Sequence, residues 1–182
     1  MKYSLDWLIE NDPNSKIFLL FWGHQPHKSG KITSTCLSQW WLCNFMVQGV
    51  QYNTAEHWMM AEKARLFKDF TTLEKILTAP TPKDAKALGR KVSPFDGQIW
   101  SERCYDIVVE GNFHKFSQNE PLQNFLLETQ NAILVEASPY DKIWGIGLSA
   151  ADPNSQNPAH WQGKNLLGFA LMEVRDRLMQ LA

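Results

Sequence analysis

Cysteine is scarce in this chain and poorly spaced for a structural task. Cys36, Cys43 and Cys104 form no CxxC pair. Their odd number and wide separation fit reduced thiols better than a disulfide frame. Long apolar runs are also lacking. No segment approaches the roughly 18 consecutive apolar residues of a membrane span, and the start, Met1 to Trp7, holds no apolar core before a cleavage site. A cytoplasmic chain with no membrane partner is therefore expected. Neither charge sign is in excess, with 18 basic against 19 acidic residues. That balance argues against a surface-wide grip on long nucleic acid and leaves only a local basic pocket for transient nucleic-acid contact. No G-x-S-x-G, G-x-G-x-x-G or Walker pattern occurs, so a nucleophile elbow and the usual nucleotide cradles are not indicated. His24 and His27 are close but have no carboxylate or cysteine partner at a recognised spacing. Neither metal nor cofactor is expected.

What the chain does have is enough apolar material for a core. It has 182 residues, 44% of them hydrophobic, which suits one domain over residues 1–182. Eight tryptophans and ten phenylalanines exceed what a minimal core needs, so aromatic walls for a base or sugar are a second use to look for.

The pattern predicts more helix than strand. Lys16 to Trp22 and Ala132 to Ala137 read as buried strands, and short pieces at Trp40–Val47 and Val50–Tyr52 meet at Gly49. A helix is expected from about Thr54 to Phe67, and a short one, opened by a capping box of Thr71 with Glu74, ending near Leu77. Thr81-Pro82 opens one that Gly89 closes. Asp96-Gly97 opens a longer run to about Ser117, weakened in the middle by Gly111. Pro121–Thr129 and Asn165–Leu181 complete the set, separated by a long irregular segment, Ser138 to Lys164. A loop of that length in a compact domain usually serves a purpose. The fold class expected is α+β, a helix-rich single domain with a small sheet.

The central helix carries the chemistry. At about 100° per residue, Glu56 and Lys63 fall about 20° short of two full turns apart, so they project to one side. Met59 and Met60 lie close to that stripe. An acid and an amine bordered by apolar surface suit proton transfer or imine formation, because such surroundings move both pKa values toward neutrality. The same residues also read as a capping box, Asn53 with Glu56, and a solvated lysine.

Five blocks in order resemble the NADAR family, also called YbiA-like N-glycosidases. They are Thr54–Ala64 around Glu56, His57 and Lys63; Leu88-Gly89-Arg90; Leu134–Ala137; Asp141–Gly147 with Trp144; and Gly163–Arg175. The resemblance spans roughly residues 16–181. It implies cleavage of a bond between a ribose anomeric carbon and a nitrogen, on riboflavin-pathway phosphoribosylamino-pyrimidines or on ADP-ribosylated guanine. It also implies that Glu56 and Lys63 are the family's helix acid and amine, with Asp141, Trp144 and Gly145 its acidic-tryptophan-glycine loop. Riboflavin-type members are expected to carry an acid between the two loop glycines; Ile146 stands there, which turns the expectation toward the ADP-ribosyl class.

Ribosyl transfer needs a group to capture charge at the anomeric carbon and a proton for the departing base. Lys63 is the candidate nucleophile, Glu56 the proton carrier, and Asp141 either a ribose or water ligand or the cap of its own turn. Direct water attack, with Lys63 only binding phosphate, is the competing chemistry. Trp144 and Trp100 are candidates for stacking, Gly145 and Gly147 for close backbone approach. Arg90 is a candidate phosphate ligand or a charge at a helix end. Asn165 is a helix N-cap or the edge of an anion site, and Arg175 a structural residue paired with a carboxylate. A non-catalytic sensor of ADP-ribose or NAD is the alternative of another class. The sequence says nothing of oligomeric state.

Overall fold

The structure is a computed structural model and describes residues 1–11 and 16–181. Two compact units emerge. One is built from residues 1–38 with 120–182, the other from the continuous stretch Gln39–Asn119.

The continuous unit is organised around one buried helix. A hairpin, β2 (Phe45–Val47) and β3 (Val50–Tyr52), turns through Gln48 and Gly49, both at positive φ, as tight two-residue turns require. It leads into α2 (Ala55–Leu66), followed by α3 (Phe70–Leu77), α4 (Pro82–Gly89) and α5 (Gly97–Ser117). Helix α2 packs against α3, α4 and α5. Its residues 55–61 are all buried, so its first half is core on every side.

Two cap assignments are corrected. The cap of α2 is Thr54 rather than Asn53, its hydroxyl accepting from the His57 amide. Asp69, not Thr71, caps α3; it also takes the Ser93 amide with its second oxygen. Thr81 and Asp96 cap α4 and α5 as expected.

Gly111 does not break α5, for a reason of packing. A Cβ there would lie 2.2 Å from Cδ1 of Trp58. The missing side chain lets that indole lie on the helix and donate to the Ile107 carbonyl at 2.8 Å. The docking offsets glycine's low helix propensity.

The discontinuous unit pairs β1 (Phe18–Phe21) with β4 (Ile133–Glu136) in parallel register, Phe18 opposite Ile133. Helix α7 (Leu166–Met179) packs on β4, and α6 (Glu120–Glu128) on α7. A short helix the sequence reading missed, α1 (Leu5–Glu10), starts at Ser4, whose hydroxyl accepts from the Trp7 amide. Single 3-10 turns lie at Ser34–Leu37 and Pro158–His160. The α+β class is borne out, with its strands divided between two pairs rather than gathered in one sheet. Among the described residues no helix is long and apolar enough to cross a membrane.

Arg175 is buried in α7, yet its guanidinium donates to the Thr129 hydroxyl at 2.8 Å and the Ala132 carbonyl at 2.9 Å. The expected carboxylate partner is thus replaced by neutral oxygens, and burial lowers its pKa.

Candidate active site

Glu56 is in the first turn of α2 and 4% exposed. Its amide donates to the Gln39 carbonyl at 3.0 Å, which satisfies one of the free N–H groups at the helix start. A carboxylate kept out of water is costly, and such groups recur where chemistry needs them. Next to it, His57 is a structural histidine. Its ring meets the Thr54 hydroxyl at 2.7 Å and the Ala79 carbonyl at 3.0 Å, and burial lowers its pKa. Nε2 therefore carries the proton and donates to Ala79, while Nδ1 accepts from Thr54.

Lys63 is half-buried, two turns further along the same side of α2 and about 10.5 Å up the axis. Its ammonium lies 4.3 Å from the ring centroid of Phe95 and 5.3 Å from that of Trp100. Phe95 in turn packs edge-on against Phe67, at 5.1 Å. Among the described residues no carboxylate comes within salt-bridge range of this amine. Burial alone lowers its pKa from the ordinary 10.5. Met59 and Met60, 6% and 7% exposed, complete the apolar surroundings on the stripe between acid and amine.

The two rings act on Lys63 in opposite senses. They exclude water, which favours the neutral amine, and their π faces attract the ammonium. Burial is the cause of the lowered pKa, so Phe95→Ala is expected to move the Lys63 pKa upward, toward 10.5. NMR titration of the lysine ε-methylene would show it; a downward move would mean that the π attraction dominates.

Thus the structure gathers Lys63 and Trp100 and adds Phe95, which the sequence reading missed. Phe95 lies outside any helix, and its only signal was an aromatic just before the Asp96 cap. Arg90 follows α4 as its C-cap and is exposed, its amide donating to the Lys86 carbonyl at 3.1 Å.

The remaining predicted residues belong to the discontinuous unit. One oxygen of Asp141 accepts from the amides of Ile143 and Trp144, both at 2.8 Å. Of its two sequence readings, the turn cap is the one seen. Trp144 is half-buried, with its carbonyl accepting from Leu167 at 3.1 Å. At Gly145 a Cβ would stand 2.8 Å from the Glu136 carbonyl oxygen, and Gly147 has φ +69°. These glycines let the loop fold back on β4, where the Ile146 amide reaches Glu136 at 2.9 Å. Ile146 is itself completely buried.

Asn165 occupies the cap position of α7 but does not cap it. It sits at φ 54°, and its side chain makes no bond to the helix. Instead its amide accepts from the Glu136 N–H and donates to the Leu134 carbonyl, both at 2.9 Å. The expectation of a side-chain cap is corrected to a tie onto β4.

A cavity of about 870 Å³ in this unit is lined by Tyr3, Trp7, Arg175 and Asp176 among others, and by none of the predicted site residues. Of its two acids, Glu128 and Asp176, the latter is bonded to Lys2 and Tyr3 at 2.6 Å each. Among the described residues no three His, Cys, Asp or Glu side chains gather as a metal would need.

Comparison with known proteins gives the family of the chain. Residues 20–179 match the NADAR domain family. An N-glycosidase of Acanthamoeba polyphaga mimivirus is 46% identical over 148 residues, covering 79% of this chain and 87% of the relative. N-glycosidase YbiA of Escherichia coli is 33% identical over 132 residues, 72% of this chain and 74% of the relative. The NMR structure of the same bacterium's YbiA superposes with a TM-score of 0.71 and 27% identity, over 91% of this chain and 86% of that one. A riboflavin biosynthesis protein of Vibrio vulnificus is 33% identical over 80% of this chain but only 36% of its own length.

Proposed function

This chain belongs to the NADAR family, and on that footing we propose that it is a hydrolase of N-glycosyl bonds that removes ADP-ribose from ADP-ribosylated guanine, in nucleic acid or nucleotides. The observation that carries the site assignment is Lys63, an amine flanked by Phe95 and Trp100, depressed in pKa, and on the same helix side as a buried glutamate. Burial of such a lysine favours its neutral, nucleophilic form.

In this reading Lys63 Nζ attacks the anomeric carbon as the bond to the base nitrogen breaks. The base leaves with the bonding pair and takes a proton from the carboxyl group of Glu56, which then recovers one from the Nζ of the adduct. Glu56 passes that proton to the ring oxygen, and the glycosylamine opens to an imine. Water adds to the imine carbon, and collapse frees the sugar and restores the amine. Phe95, 50% exposed, and Trp100 offer the flat faces that a purine would stack on. Asp141 orders its own loop through its cap, and Arg90 is the candidate for phosphate contact.

The second reading, cleavage of phosphoribosylamino-pyrimidines, is favoured by the name of the Vibrio vulnificus relative. Ile146 weighs less against it than the sequence suggested, since that side chain lies in the core.

Two assays test the proposal. Side by side, an ADP-ribosylated guanine oligonucleotide is expected to lose its sugar at least about a hundredfold faster than the pyrimidine riboside; the reverse order transfers the assignment to the second reading. Borohydride added during turnover is expected to add the mass of the reduced sugar at Lys63. Unchanged protein mass during active turnover rejects the imine.

A further inference from the structure

In the discontinuous unit a buried positive charge borders a cavity and has no counter-ion. Arg175 is 3% exposed, and among the described residues no carboxylate comes within salt-bridge range of it. Its two bonds, to the Thr129 hydroxyl and the Ala132 carbonyl, both leave from Nη1. Nε has no hydrogen-bond partner. The edge formed by Nε and Nη2 is therefore without an acceptor among the described residues. Two parallel N–H groups on one guanidinium edge are the match for a carboxylate. Arginine stays charged in proteins, and a buried charge left unpaired is strongly destabilising. A bound anion supplies both the acceptor and the opposite charge.

There is room for a ligand beside it. The cavity that Arg175 lines measures about 870 Å³, within the range of small-molecule sites, and is built from residues of this unit alone. It lies at the amino ends of β1 and β4, where Phe18 and Ile133 begin the parallel pair, whereas the Asp141–Gly147 loop follows the carboxyl end of β4. Tyr3 and Trp7, whose rings meet edge-on at 4.6 Å, and Phe18 give it flat apolar walls. The Tyr3 hydroxyl donates to Asp176 at 2.6 Å, which fixes that wall in place. Charge on the lining sets the valence of the anion. Asp176 is paired with Lys2. Arg175 and Lys16 then stand against Glu128, an excess of one positive charge. A monoanion neutralises that excess, while a phosphate dianion overshoots it beside two carboxylates.

We propose that this cavity is a binding site for a monocarboxylic acid with a flat apolar body, its carboxylate on the Nε–Nη2 edge of Arg175 and its ring against Trp7 and Phe18. The site is separate from Lys63 and does not depend on glycosidic cleavage.

Three probes of similar shape test it: benzoate, its neutral amide benzamide, and phenyl phosphate. Each is titrated into the isotope-labelled full chain and followed by NMR. Benzoate is expected to shift the Trp7 indole N–H and the Arg175 Nε–H together, and to saturate at roughly millimolar concentration. Benzamide, which brings no charge, is expected to bind about 10- to 100-fold more weakly. Phenyl phosphate is expected to bind no tighter than benzoate. Arg175→Met is expected to abolish the preference for acid over amide, and Trp7→Ala to weaken both by about 3- to 10-fold. Thermal melts check that the variants fold. Should Arg175→Met not fold, having lost its ties to Thr129 and Ala132, the acid-to-amide comparison in the parent chain decides alone. Equal binding of acid and amide overturns the site, as does the absence of a saturable shift at Trp7 up to about 10 mM benzoate. Tighter binding of phenyl phosphate overturns the monocarboxylate assignment. None of the probes has a scissile ribosyl bond, so loss of the glycosidase reading would leave this result standing, and the converse holds.

Discussion

Lys63→Met is expected to lower the rate of base release by at least about a thousandfold while the chain stays folded. The loss follows from removing the proposed nucleophile, an effect of this order in enzymes with covalent intermediates. Methionine fits beside Phe95 and Trp100, so packing at the aromatic site is kept. Lys63→Arg sharpens the test. It preserves the cation but cannot form an imine, so an equal loss in both variants favours the covalent route. Retention of most activity in the arginine variant would instead assign Lys63 to phosphate binding and water attack.

The pH dependence has a definite sign. The amine reacts only when neutral, and burial places its pKa below 10.5. Activity is therefore expected to rise with pH through that lowered value. Stability runs the same way. Between the lowered folded value and the unfolded value, the folded chain binds fewer protons than the unfolded one, so stability increases with pH across that window. Below it, the charged amine sits in apolar surroundings at a cost. Lys63→Met removes that cost and is expected to raise the melting temperature at neutral pH even as it abolishes turnover, a trade common at functional sites.

The second large effect is structural. Asn165→Gly is expected to destabilise the chain by about 2–5 kcal/mol, because it strands the Glu136 N–H and the Leu134 carbonyl at once. Glycine accepts the φ of 54° without strain, so the loss isolates the two side-chain bonds. Thermal melts are expected to shift down by about 2–4 °C per kcal/mol for a chain of this size. A variant as stable as the parent, but with raised KM, would return Asn165 to the substrate-binding role its position first suggested.

These residues show what could be read from the sequence. The helices opened by Thr81-Pro82 and Asp96 were legible because proline and aspartate act locally through backbone geometry and a single hydrogen bond. The paired strands were legible as short apolar runs. Cap register was not, where two candidates competed. Asn53 with Glu56 fitted the pattern as well as Thr54 did, and the choice was made with contacts such as Glu56 to Gln39 and Asp69 to Ser93 that no local pattern contains. Helix α1 has six residues, too few for an apolar period to repeat. Phe95 is remote in sequence from the lysine it covers, and Gly111 looked like a weakness until Trp58 was found lying on it. Asp141 illustrates a different limit, since a turn cap and a catalytic acid have the same sequence signature.

The pairing of residues 18–21 with 133–136 has a consequence for biogenesis. On a ribosome the first strand emerges well before its partner and must wait, unpartnered and apolar, until residues 133–136 have been synthesised. The intervening stretch Gln39–Asn119 can meanwhile form its own contacts. Late closure of so distant a pair leaves an apolar segment exposed during synthesis, the state in which nascent chains are open to chaperone binding.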